Sequence, residues 1–166
     1  YASMVRLMDA CAEYNRKMLI LDRPNPNGHY VDGPILDMKY KSSVGWLPIP
    51  IVHGMTLGEL ALMVNGERWL PASRICDITV IKCKNYTHQT MYELPIPPSP
   101  NLPNMKAVYL YPSTCYFEAT PVSLGRGTQL PFQIYGHPNM LGYDYTFTPQ
   151  SIPGAKNPPQ LNRICH

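Results

Sequence analysis

The run Lys17-Met18-Leu19-Ile20-Leu21-Asp22-Arg23-Pro24-Asn25-Pro26-Asn27-Gly28 decides the fold. Its first five residues are a short apolar segment of the kind buried in a parallel sheet. Polar and turn-forming residues follow at once, which puts Asp22 and Arg23 at the carboxyl end of that strand. Ligands of open α/β sheets bind beyond those ends. Prolines fix φ and glycine relaxes it, so the Asp22–Gly28 loop can hold a shape without regular secondary structure.

Upstream, Met4, Leu7, Met8 and Cys11 recur at i, i+3, i+4 and i+7, which predicts an amphipathic helix from about Ser3 to Tyr14. Downstream, Thr56-Leu57-Gly58-Glu59 has the form of a capping box, and Leu57, Leu60, Ala61 and Val64 make one helical face. Asn65-Gly66 is the expected stop. Ile78-Thr79-Val80-Ile81 reads as a second buried strand. Helix, strand, long loop, helix and strand are half of a doubly wound sheet. A parallel sheet must be covered on both faces, and two strands with two helices do not suffice. The chain also opens inside a helix with no cap and no initiator Met. The expectation is therefore an internal fragment with earlier βα units upstream.

Proline is 19 of 166 residues, about 11% against a usual share of roughly 5%. It gathers in short mixed loops rather than repeats, which indicates structured loops. The densest, Leu94 to Pro103, is the expected domain boundary, dividing residues 1–100 from residues 101–166. In the second part, strands are expected over Ala107–Tyr111 and Phe132–Tyr135, with a helical turn over Ser113–Glu118. Tyr143–Phe147 alternates weakly.

The net charge of +3 is mild and its basic residues are scattered, so no nucleic-acid or anionic-membrane footprint is present. No apolar run approaches the roughly 20 residues of a membrane span. Cys11, Cys76, Cys83, Cys115 and Cys165 match no zinc or redox spacing and read as small buried hydrophobes. Asn85-Tyr86-Thr87 fits a glycosylation acceptor only formally. No metal or cofactor is expected.

Chemistry is concentrated in three loops. In the first, Arg23 offers a donor fork for a carboxylate or hydroxyls and Asn25 offers donors and acceptors. Asp22 and Arg23 read equally well as braces of the Pro24-Asn25-Pro26 turn. In Pro48-Ile49-Pro50-Ile51-Val52-His53-Gly54-Met55-Thr56, His53 sits just outside a helix start, whose dipole favours a neutral imidazole. It could hydrogen-bond a sugar, assist proton transfer or be structural. Glu59 is explained by the capping box and is set aside as a catalyst. In Ser123-Leu124-Gly125-Arg126-Gly127-Thr128, the Arg and Thr with nearby Glu118 could read a carbohydrate or an anion. Alternatively, Arg126 and Glu118 form an internal ion pair. Neither a P-loop, a dinucleotide fingerprint nor a nucleophile elbow is present.

The three loops, with Val31-Asp32-Gly33-Pro34, Pro98-Ser99-Pro100-Asn101, Tyr111-Pro112 and Pro131-Phe132, resemble a bacterial family once catalogued as a domain of unknown function. That family is associated with exo-acting β-N-acetylmuramidases, and the loop wording is closest to its Bacteroidetes branch. The resemblance implies an α/β fold: the C-terminal part of a Rossmann-like parallel-sheet domain, then the start of a smaller α/β domain, with the active site in the cleft between domains. It implies a glycoside hydrolase that releases N-acetylmuramic acid from non-reducing ends of peptidoglycan fragments. A non-catalytic cell-wall-glycan binding module is the rival reading. The implied ligands are muropeptides or MurNAc-GlcNAc saccharides, and the implied location is the periplasm or envelope. The principal catalytic Glu is expected upstream of Tyr1, with His53 as a possible assistant. Asp22, Arg23, Asn25, His53, Ser99, Asn101, Glu118, Arg126 and Thr128 are the expected substrate-binding residues. Ala119 departs from the family's usual Gly, which leaves the local turn open.

Overall fold

Met18–Leu21 forms β1 and pairs in parallel with Ile78–Ile81 in the register Met18 to Ile78 and Leu21 to Ile81. The crossover between these strands carries a helix, Leu57–Gly66, so the predicted βαβ unit is present. The computed structural model describes residues 1–166, which separate into two compact units, Tyr1–Tyr92 and Glu93–His166. In chain order the first unit has α1 (Ala2–Glu13), β1, β2 (Asp32–Ile35), β3 (Pro50–Val52), α2 (Leu57–Gly66) and β4 (Ile78–Ile81). Strands β2 and β3 pair antiparallel as a separate two-stranded sheet within the long loop. The chain is thus α/β with a parallel sheet.

The core of this unit joins Val5 and Met8 of α1, Ile20 of β1, Leu60, Ala61 and Val64 of α2, and Leu47, Ile49, Leu70 and Cys76. Asp9 and Arg74 close one side, with Arg74 Nε and Nη2 donating to Asp9 Oδ1 at 3.0 and 2.7 Å. Three details differ from expectation. The buried face of α1 is centred on Val5 and Met8, and Leu7 is 54% exposed. Neither strand is wholly buried: their exposure alternates, so Ile20 is inside while Leu19 and Leu21 stand out. Those two leucines line a groove of about 390 Å³ with Met4, Leu7, Arg23 and Leu57. Helix α2 ends at Gly66 as expected, but the left-handed residue after it is Arg68, with φ of 57°, rather than a glycine. The Asn65 amide instead pairs with the Cys76 backbone, donating to its carbonyl at 2.8 Å and accepting its N–H at 3.1 Å.

The second unit corrects two expected strands. Ala107–Tyr111 lies inside α3 (Met105–Thr114), whose N-cap Asn104 accepts from Ala107 N at 3.0 Å. Ala107 and Val108 are adjacent and both buried, as on a helical face. The helical turn expected over Ser113–Glu118 is the end of α3 plus a 3-10 turn at Cys115–Phe117. Phe132–Tyr135 is a turn rather than a strand: Phe132 takes φ of 55° and buries its ring against Tyr111 at 5.1 Å between centroids. Sheet pairing in this unit is confined to isolated bridges, among them Ser123 with Gly136 and Phe147 with Cys165. Leu124, Phe132, Phe147, Ala155 and Cys165 are buried in this unit, as are Ala107 and Val108 of α3. No helix is long and apolar enough to cross a membrane.

Candidate functional site

Carboxyl ends of β1 and β4 meet the N-terminus of α2, and the polar residues there bind one another closely. Asp22, directly after β1, accepts the Thr56 hydroxyl at 2.6 Å and the Gly58 N–H at 3.0 Å. Its carboxylate therefore occupies the helix N-terminus, where free N–H groups and the dipole favour negative charge. Gly58 makes room for it: a Cβ there would lie 2.5 Å from Val80 Cγ1 and 2.7 Å from Asp22 Oδ2. The capping box is complete, with Thr56 Oγ1 accepting from Glu59 N at 3.2 Å and Glu59 Oε2 accepting from Thr56 N at 2.9 Å. A cavity of about 80 Å³ beside Asp22, Thr56, Glu59, Cys83 and Tyr86 is well under the roughly 300 Å³ at which small-molecule sites begin. This corner organises loops.

Asn25 has a similar task. Its Nδ2 donates to Met55 O at 2.9 Å and its Oδ1 accepts from Asn27 N at 2.9 Å, which ties the first loop to the second. Arg23 is exposed, with its backbone N–H on Asp22 Oδ1 at 3.0 Å. Of the two readings of this pair, Asp22 acts as a brace, though on α2 rather than on the proline turn. The Arg23 side chain remains free of ion pairs.

His53 is half-buried after β3. The Met55 N–H donates to its Nδ1 at 3.1 Å, so in the neutral ring the proton sits on Nε2. Burial pulls its pKa below the ordinary histidine value. The neutral imidazole anticipated from the helix dipole thus has desolvation as its main cause. What His53 presents is a hydrogen-bond donor.

Residues after β4 also contribute, and sequence reading passed them over. The Tyr86 hydroxyl donates to Asn25 O at 3.0 Å and receives Asn25 N–H at 3.2 Å. Cys83 Sγ donates to Asp22 O at 3.2 Å. His88 places Nδ1 2.8 Å from Gly28 O and Nε2 3.0 Å from Glu59 Oε1. Both partners are acceptors, so both bonds form at once only in the imidazolium; the Gly28 carbonyl first, then Glu59, raise the His88 pKa. Loops that follow adjacent parallel strands must be neighbours, and that rule could have drawn Tyr86 and His88 into the prediction.

In the second unit, Ser99 Oγ accepts from Asn101 N at 3.2 Å and Asn101 Nδ2 donates to Gly154 O at 3.0 Å. The Thr128 hydroxyl donates to Gly125 O at 2.7 Å and accepts from Leu130 N at 3.0 Å. Gly125 and Gly127 have φ of 72° and 83°. A Cβ on Gly127 would run into the Gln150 carbonyl oxygen, so the turn is locked on both sides of Arg126. Glu118 is exposed and hydrogen-bonds the Tyr111 hydroxyl; burial first and then Glu118 push the Tyr111 pKa up to about 12. The ion pair between Arg126 and Glu118, the alternative reading of these residues, is not formed. Ion pairs join Lys17 to Asp77, Lys39 to Asp37, Arg74 to Asp9 and His88 to Glu59 instead. No three His, Cys, Asp or Glu side chains converge as a metal site.

Two family models match in tandem: "Exo-beta-N-acetylmuramidase NamZ, N-terminal" over residues 1–106 and "Exo-beta-N-acetylmuramidase NamZ, C-terminal" over residues 109–159. The peptidoglycan beta-N-acetylmuramidase NamZ of Bacillus subtilis (strain 168) is 42% identical over 141 residues, which are 82% of this chain and 33% of that protein. A crystal structure of a DUF1343 family protein from Bacteroides fragilis NCTC 9343 superposes with a TM-score of 0.98 at 87% identity, covering 100% of this chain and 47% of that one. A second DUF1343 structure from the same strain gives 0.85 at 27% identity, covering 99% and 47%. The chain thus spans about a third of the curated relative and just under half of the solved chains.

Proposed function

Because the chain belongs to the exo-β-N-acetylmuramidase NamZ family, we propose that its protein is a glycoside hydrolase of peptidoglycan. In this reading it releases N-acetylmuramic acid from the non-reducing ends of muropeptides or MurNAc-GlcNAc saccharides, in cell-wall turnover or recycling. The tandem family match, backed by 42% identity to the Bacillus subtilis muramidase, is the observation that carries it.

Glycoside hydrolysis needs a proton donor for the leaving oxygen and a group to stabilise or attack the anomeric carbon. We assign this chain's residues to holding the sugar rather than to proton donation. Glu59 is engaged through both oxygens, and His53 presents a neutral Nε2–H. Asp22, Asn25, Ser99, Asn101 and Thr128 shape the loops through the hydrogen bonds described above. Among the expected binding residues of the first unit, Arg23 and His53 keep atoms free to meet hydroxyls or an acetamido group. The location of peptidoglycan supports a periplasmic or envelope address, which cell fractionation checks.

The test is release of free N-acetylmuramic acid from a chromogenic β-muramide by the intact protein. Turnover with saccharide products shortened from the non-reducing end is expected. Tight glycan binding with no release would replace this reading with that of a binding module.

A further inference from the structure

Arg126 is held with unusual rigidity for a residue whose charge has no partner. Its backbone lies between Gly125 and Gly127, both left-handed and both closed to any Cβ by neighbouring backbone oxygens. The Gly127 carbonyl accepts Gln150 N–H at 2.9 Å, and Thr128 fastens the turn from the other side. The side chain is partly buried, and its Nε is fully buried without a hydrogen-bond partner. In the same unit, Ser123 Oγ and Gln133 Nε2 are likewise buried without a hydrogen-bond partner. The nearby carboxylate, Glu118, does not neutralise the guanidinium and is hydrogen-bonded by Tyr111.

A partly buried cation without a counter-charge is costly, and protein interiors rarely tolerate one. Fixing its loop makes the arrangement useful only if an anion arrives from outside. The guanidinium is planar and matches a carboxylate better than it matches hydroxyls, whose oxygens carry no full charge. Arg23, by contrast, is exposed on a loop beside an apolar groove, where water satisfies its charge.

We propose that Arg126 is the specificity residue of this protein, receiving a carboxylate carried on the sugar. The inference rests on the functional reading above, and there the anion is the lactyl carboxylate that distinguishes N-acetylmuramic acid from N-acetylglucosamine. Tyr111 and Glu118 contribute by leaving the guanidinium unneutralised.

Binding and turnover are measured separately on the intact protein. Calorimetry compares N-acetylmuramic acid with N-acetylglucosamine, and chromogenic β-glycosides of both sugars give kcat and KM. Arg126→Ala should weaken the muramic ligand by about ten- to a hundredfold, the range of a charged hydrogen-bonded contact. Its affinity for N-acetylglucosamine should be unchanged. Arg126→Lys should recover part of the preference, since charge remains while the fork is lost. A muramic acid methyl ester should be insensitive to the Arg126 variants. Arg23→Ala should affect both sugars alike.

Equal losses for both sugars in Arg126→Ala would overturn the proposal, as would a preference that persists in that variant or collapses in Arg23→Ala. So would a native protein that binds both sugars equally. If the native protein prefers N-acetylmuramic acid through Arg126 yet hydrolyses neither glycoside, the enzymatic reading fails and the carboxylate site stands.

Discussion

Asp22→Ala separates a structural carboxylate from a sugar-binding one. The native side chain accepts the Thr56 hydroxyl at 2.6 Å and the Gly58 N–H at 3.0 Å, at the positive end of α2. Hydrogen bonds to a charged group contribute roughly 1.5–3 kcal/mol each, and the dipole adds about 0.5 kcal/mol. Asp22 is only partly buried, so water replaces some of this and the net loss should be about 3 kcal/mol. Asp22→Asn keeps the shape and one good acceptor and should lose about 1 kcal/mol. Urea unfolding followed by circular dichroism reads the loss, and hydrogen exchange at the Gly58 amide localises it. Sugar affinity should fall only in proportion to the unfolding of the loop. A variant with unchanged stability and exchange that no longer binds sugar would refute the bracing role.

Gly58→Ala gains about 1 kcal/mol of helix propensity but forces its methyl against Val80 and Asp22. Overpacking of this kind costs roughly 1–3 kcal/mol, so a net loss in thermal stability is expected and a gain would contradict the geometry. Tyr86→Phe removes both hydrogen bonds to Asn25 and should cost about 1–2 kcal/mol. Faster exchange at the Asn25 and Asn27 amides is the readout. His88 has a raised folded pKa, so its contribution is full below its unfolded value and fades as pH rises through the folded one. The His88–Glu59 pair is about half exposed, which holds the effect under about 1 kcal/mol. Stability of the native protein relative to His88→Gln, measured from pH 5 to 9, should decline with rising pH; a flat difference would remove the imidazolium from the account.

Local chemistry was the most legible part of the sequence. Thr56 and Glu59 announce their own geometry because a capping box closes within four residues, and the apolar run to Leu21 reads as a strand because turn-forming residues follow it at once. Hence α1, β1, α2, β4 and the family were readable. Phe132 misled because its left-handed turn is imposed by packing against Tyr111, against its own preference. Ala107–Tyr111 misled because five apolar residues do not distinguish period two from a helical face. For Glu118 and Arg126 the sequence left two readings open, because a pair of opposite charges says nothing about which is already engaged.

The sequence by itself determined where chain-stiffening residues hold loops at strand ends, since Pro and Gly act through their own backbone. The tertiary structure alone decided how those loops are used, because contacts such as Asp22 with Gly58 and Tyr86 with Asn25 span tens of residues. It engaged Asp22, Asn25, Ser99, Asn101 and Thr128 in hydrogen bonds that hold the loops. It left Arg126 as a fixed charge with no internal partner, a property that depends on every neighbour and on no single motif.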